Sequence, residues 1–199
     1  MKQDQSNGYD AIARDFLAHR QNSRVGVETV RAWSQTLPPG STILDLGCGN
    51  GIPMTQALVN GGFSVCGVDA SPTLVQSYRE HFPGLPVACE PVETSSFFGR
   101  KFDGVLAWGL LFLLPKRVQE ALIHRAGAIL NPGGQFLFTS PQQACTWVDV
   151  MTGLASRSLG ADRYQAVLAS AGLCLAGTDT DEGENHYYLA KKEGPLSQK

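Results

Sequence analysis

The 199-residue sequence predicts an α/β fold: a single doubly wound sheet of seven strands, helices on both faces, and a helical cap ahead of the first strand. Three observations carry that prediction. Short apolar runs of strand length alternate with segments of helical periodicity from residue 42 onward. Prolines open several of the helical segments and glycines close them. Three glycines in the stretch TILDLGCGNG (42–51) stand directly behind the first apolar run, where a strand must turn into a helix.

In chain order, YDAIARDFLAHR (9–20) and GVETVRAWSQTL (26–37) read as helices, and residues 1–40 as a cap over the open end of the sheet. TILDL (42–46) is the first strand. A helix carrying Met54, Ala57 and Leu58 follows, with Pro53 in its first turn and Gly61-Gly62 at its end. SVCGVD (64–69) is the second strand. Ser71 and Pro72 supply an N-cap and an N1 proline to a helix whose Leu74, Val75, Tyr78 and Phe82 share a face. LPVACE (85–90) and FDGVLAW (102–108) are the third and fourth strands. Pro115 opens a helix that NPGG (131–134) stops before the strand QFLFTS (135–140). Residues 142–164 read as an irregular stretch running into a helix over 162–171. LCLAGTDT (173–180) and NHYYLAK (185–191) are the last strands. The whole chain, 1–199, reads as one domain: cap 1–40, core 41–191 and flexible tail 192–199.

Composition narrows the function. With 43% hydrophobic residues, 17% charged and a net charge of −2, the chain lacks the clustered basic face that nucleic acid or an anionic membrane requires. The longest apolar run is interrupted and ends at Pro115, and the polar N-terminus does not read as a signal peptide. Five cysteines without a C-x-x-C pair suggest neither a disulfide framework nor a metal site, and point to a reducing, cytoplasmic location.

Glycine is the costliest residue to order, so three of them at alternate positions need a reason. In the first strand-to-helix turn they let main-chain amides approach a ligand. The spacing is G-x-G-x-G, which fails the dinucleotide fingerprint, and no P-loop is present. The second strand ends at Asp69, 22 residues after Gly47, where a carboxylate can accept both hydroxyls of a ribose. A nucleoside without a pyrophosphate suits this pattern, and S-adenosylmethionine is such a molecule.

LDLGCGNG (44–51), VDAS (68–71), FDGVLAWGLLFLL (102–114) and LNPGGQFLFTSP (130–141) resemble, in order and spacing, the successive motifs of class I S-adenosylmethionine-dependent methyltransferases. The resemblance covers roughly residues 40 to 141. It implies a Rossmann-like sheet whose last strand is antiparallel and inserted beside the sixth. It implies that Asp45, Gly47, Cys48, Gly49 and Gly51 surround the methionine and ribose portions, that Asp69 holds the ribose, and that Ala70 and Ser71 lie against the adenine. Pro91 stands where the family usually has an acid that reads the adenine edge, so Glu90, Glu93 or the Val92 main chain takes that place. Ala107 and Trp108 fall near the methionine amine and the transferred methyl. YDAIARDF resembles the capping helix of small-molecule methyltransferases, which brings Tyr9 to the cofactor and Arg20 to its carboxylate.

The fourth-strand motif AWGL differs from the [DN]-P-P-[YFW] that holds an amide or exocyclic nitrogen. A small-molecule acceptor is therefore expected, walled by Trp108, with S-adenosylhomocysteine as the other product. Trp147, Asp149, Asn185, His186 and Tyr187 are candidates for its pocket, and His186 is the candidate base because histidine takes up a proton near neutral pH. In an alternating strand His186 and Tyr188 share one face, Asn185 and Tyr187 the other. An RNA or protein methyltransferase, and a module that binds the cofactor without catalysis, are the alternatives.

Overall fold

The computed structural model describes residues 4–20 and 22–194. Its elements are α1 (Ala13–Arg20), α2 (Val27–Ser34), β1 (Thr42–Leu46), α3 (Met54–Asn60), β2 (Ser64–Asp69), α4 (Pro72–His81), β3 (Val87–Cys89) and β4 (Phe102–Ala107). They continue with α5 (Lys116–Ile129), β5 (Leu130–Thr139), β6 (Cys145–Val148), β7 (Ala155–Ser158), α6 (Ala161–Ser170), β8 (Leu173–Thr180) and β9 (His186–Lys192). Seven strands form one sheet in the order β3-β2-β1-β4-β5-β9-β8. β1 to β5 pair in parallel, whereas β9 runs antiparallel to both β5 and β8. The doubly wound sheet, and the antiparallel last strand between the fifth and the eighth, agree with the sequence reading.

Alternation along the strands divides the core between the two faces. Leu44, Val105, Phe136, Phe138 and Tyr188 pack with Leu122, Ile123 and Ala126 of α5 and with Tyr164, Val167 and Leu168 of α6. Ile43, Val65, Leu106, Leu137 and Tyr187 pack on the other side with Val30 and Trp33 of α2 and Leu58 of α3. Each fully buried aliphatic side chain of this kind stabilises the fold by about 1.5–3 kcal/mol.

Several boundaries differ from the sequence reading. The second predicted cap helix, α2, covers a face of the sheet rather than its end. α1 starts at Ala13 rather than Tyr9, because Asp10 turns outward to serve α4: its carboxylate accepts from Ser71 Oγ at 2.6 Å and Thr73 N at 3.0 Å. NPGG does not end before a strand but belongs to β5 as an irregularity, with Phe102 paired to Leu130 and Gly104 to Gln135. Asn131 Nδ2 donates to Asp103 Oδ1 across it at 2.7 Å. The stretch expected to be irregular contains the β6–β7 hairpin. The tail begins later than residue 192, since Lys192 ends β9 and its Nζ donates to Gly127 O and Leu130 O; residues 195–199 lie outside the described residues.

Candidate functional site

A cavity of about 430 Å³ opens above the carboxyl ends of β1, β2 and β4. Its size suits a small-molecule ligand, for which roughly 300–1,000 Å³ is usual. Asp45 and Gly47 come from the end of β1, Asp69 from the end of β2 and Trp108 from just after β4. Tyr9, Phe16 and Arg20 close it from the N-terminal segment, and Asp149 to Met151 from the turn of the β6–β7 hairpin.

The glycine turn is fastened to β2. Gly47 N and Cys48 N both donate to Val68 O, at 2.8 and 3.2 Å. Gly49 N donates to Asp69 Oδ2 at 2.9 Å, and Ser71 N to Asp69 Oδ1 at 2.8 Å, so the carboxylate is oriented by two main-chain donors. Burial raises Asp69 above the usual carboxylate range even so. Asp45 is buried beneath the turn, accepts from Thr55 Oγ1 at 2.7 Å, and is pushed up to about 7 by burial, with Asp69 adding to the shift. The same burial, beside these carboxylates, keeps the Cys48 thiol neutral.

The opposite wall is made by side chains. The Trp108 indole N–H donates to Tyr187 OH at 2.6 Å, and the Arg20 guanidinium carbon lies 4.2 Å from the centroid of the Trp108 ring. Asp149 Oδ1 is saturated by Met151 N, Thr152 N and Thr152 Oγ1, at 2.8 to 3.0 Å. Its Oδ2 receives the Tyr9 hydroxyl at 3.3 Å. Burial and the adjacent carboxylate hold the Tyr9 phenol protonated.

The sequence profile of the methyltransferase domain family matches residues 16–178. The chain belongs to this family. It is a class I S-adenosylmethionine-dependent methyltransferase domain. Over 105 residues it is 29% identical to a ubiquinone biosynthesis O-methyltransferase of Coxiella burnetii, a match covering 51% of this chain and 44% of that protein. The chain thus spans less than half the length of that curated relative. Its fold is shared with magnesium protoporphyrin IX methyltransferase of Synechocystis, crystallised with S-adenosylmethionine, at a TM-score of 0.67 and 19% identity over 92% of this chain and 84% of that one. It is shared equally with a 1,6-didemethyltoxoflavin N1-methyltransferase of Burkholderia thailandensis holding its substrate and S-adenosylhomocysteine. There the TM-score is 0.66 and identity 22%, over 94% and 90% of the two chains.

Within the methyltransferase domain the cavity brings together Tyr9, Arg20, Asp45, Gly47, Cys48 and Gly49. Asp69, Ala70, Val92, Glu93 and Trp108 complete the predicted residues that line it. Of the residues predicted to hold the cofactor or to act as the base, four do not. Gly51 has φ +81°, and a Cβ there would stand 2.4 Å from the Phe82 ring, so its glycine serves packing. Ser71 is spent capping α4, where its Oγ accepts from Leu74 N and donates to Asp10. Ala107 faces the core. His186 lies on the far face of β9, edge-on to the Tyr188 ring at 4.8 Å, and burial lowers its proton affinity. The expected base is thus misplaced by strand alternation, and Asp149 occupies the cavity instead.

Of the other acceptor candidates Asn185 lines the cavity, Tyr187 stands behind Trp108, and Trp147 packs on Phe112 at 5.5 Å. Sequence reasoning missed Phe16, Phe112 and Met151, which read as ordinary apolar positions. It also missed Arg125, whose guanidinium donates to the carbonyls of Val92, Glu93 and Ser95 and so shapes the segment after β3. An arginine on an amphipathic helix carries no sequence signal for that task. Among the described residues no helix is long and apolar enough to cross a membrane, and no cluster of metal-ligating side chains occurs.

Proposed function

We propose that this domain transfers the methyl group of S-adenosylmethionine to a small molecule with an apolar ring and a proton-bearing oxygen nucleophile. The observation that carries the reading is one cavity with two unlike walls. On the first, Gly47, Gly49, Asp69 and Ala70 receive the nucleoside, with Val92 and Glu93 at its edge. The residues suit this cofactor: Asp45 and Asp69 favour its cationic sulfonium and ammonium, and Arg20 supplies positive charge for its carboxylate. Bound there, the sulfonium supplies an activated methyl carbon open to in-line displacement.

The second wall, Trp108, Phe112 and Met151, excludes water and offers flat apolar contact to an acceptor ring. Asp149 Oδ2, bonded among the described residues to Tyr9 alone, is the carboxylate oxygen placed to take the acceptor's proton. The likeness to a ubiquinone biosynthesis O-methyltransferase supports an oxygen nucleophile. Cap and sheet act as one domain, since Asp10 binds the start of α4 and Tyr9 binds Asp149. Five free cysteines favour a reducing, cytoplasmic setting.

Calorimetric titration of S-adenosylhomocysteine and NADH tests the first wall. S-adenosylhomocysteine is expected to bind and NADH not, and Asp69→Ala is expected to weaken binding by about 1–3 kcal/mol, the worth of a charge-assisted hydrogen bond. Binding indifferent to Asp69 would refute the reading. A panel of hydroxylated aromatics, thiols and amines, scored by S-adenosylhomocysteine release, then tests the second wall; turnover confined to thiols or amines would refute the oxygen acceptor.

A further inference from the structure

Behind the Trp108 wall lies a directed chain of hydrogen bonds. The indole N–H can only donate, so Tyr187 OH accepts from it at 2.6 Å and passes its own hydrogen to Asp181 Oδ2 at 2.7 Å. Asp181 is buried and held rigid at its other oxygen by Gly183 N and Asn185 N, both at 2.9 Å, and by Asn185 Nδ2 at 3.0 Å. Gly26, at the start of α2, closes over all three groups. A Cβ there would stand 2.3 Å from Tyr187 OH, 2.7 Å from Trp108 Nε1 and 2.9 Å from Asp181 Oδ2. No side chain but hydrogen fits there, and the bond to Tyr187 OH restrains the indole plane. On its cavity face rests the Arg20 guanidinium, which forms no ion pair among the described residues.

We infer that Trp108, Tyr187 and Asp181 are a positioning relay that fixes the Arg20 cation inside the cavity, so that a carboxylate-bearing ligand is gripped by an arginine aimed from behind. The inference rests on the cofactor reading given above. A long arginine side chain loses considerable freedom when it grips an anion. Stacking on a fixed indole removes that freedom in advance and adds attraction from the ring face. Tyr187 and Asp181 do not line the cavity. They act through Trp108.

The test compares S-adenosylhomocysteine with 5′-methylthioadenosine, which keeps the nucleoside but lacks the amino-acid group. Both are titrated into the wild-type chain, Tyr187→Phe, Arg20→Gln and the double variant, with thermal melts to verify folding. Tyr187→Phe is expected to weaken S-adenosylhomocysteine about ten-fold and to leave 5′-methylthioadenosine within about two-fold. The double variant is expected to bind S-adenosylhomocysteine no more weakly than Arg20→Gln alone, because the relay has nothing left to position. Independent losses in the double variant, or equal weakening of both ligands by Tyr187→Phe, would overturn the relay. A wild-type chain that binds neither ligand would instead overturn the cofactor reading itself.

Discussion

On the proposed nucleoside side of the cavity, main-chain amides do the joining: Gly47 N and Cys48 N donate to Val68 O, and Gly49 N donates to the Asp69 carboxylate, 20 residues away. On the proposed acceptor side, Tyr9 meets Asp149 across 140 residues and Trp108 meets Tyr187 across 79. The first wall is a property of one strand–turn–helix unit, with backbone geometry as its instrument. The second is assembled from side chains that only the finished fold brings together. A backbone device tolerates few substitutions, whereas a side-chain device can be retuned one residue at a time. The scaffold can therefore keep its nucleoside and change its acceptor.

Four perturbations probe that contrast, the largest first. Gly51→Val forces a branched side chain into a left-handed conformation and against Phe82, and is expected to cost about 2–5 kcal/mol in urea unfolding. The next is pH. Folding raises Asp45 to about 7 from an ordinary 3.8, so between these values the native state holds the extra proton. The contribution of Asp45 to the stability of the ligand-free chain is then full below about pH 4 and is lost as pH rises towards 7, by on the order of a few kcal/mol. Asp45→Asn is expected to flatten that slope in unfolding measurements made across pH.

Tyr164→Phe removes a hydroxyl that donates to Gln119 Oε1 at 2.6 Å, meets Ser140 Oγ at 2.7 Å and accepts from Leu159 N. Gln119 in turn holds Arg157 O of the hairpin. A loss of about 1–3 kcal/mol is expected, with hydrogen exchange rising in β7 while the glycine turn after β1 stays protected. Equal loosening of both regions would break the contrast. The smallest effect belongs to Tyr9→Phe, expected to change stability by less than about 1 kcal/mol. It should leave S-adenosylhomocysteine affinity nearly unaltered and slow only acceptor turnover.

The same division explains what the sequence made legible. The alternating runs, Pro72 behind Ser71, and the glycines behind TILDL announced sheet, helices and nucleoside turn because each signal is local. Strand alternation also separated Tyr187 from His186, but could not tell which of them stood behind Trp108. That depended on which face α2 would cover, a matter of packing between Trp33, Ile43 and Tyr187. The hairpin escaped notice because Cys145–Val148 is mostly exposed and the buried positions of Ala155–Ser158, Ser156 and Ser158, are polar, so neither strand carries an apolar stripe. Arg125 and Asp149 owe their roles to neighbours far away in sequence.

Tyr9 and Asp10 are adjacent in the chain, yet one is fastened to the hairpin and the other to the start of α4. A single strap thus ties the hairpin to the start of α4 across the mouth of the cavity, so an opening that frees one end would pull on the other. On the proposed reading, the comings and goings of nucleoside and acceptor would share one clock. A ceiling on turnover set by that strap would be common to every acceptor, whatever its chemistry.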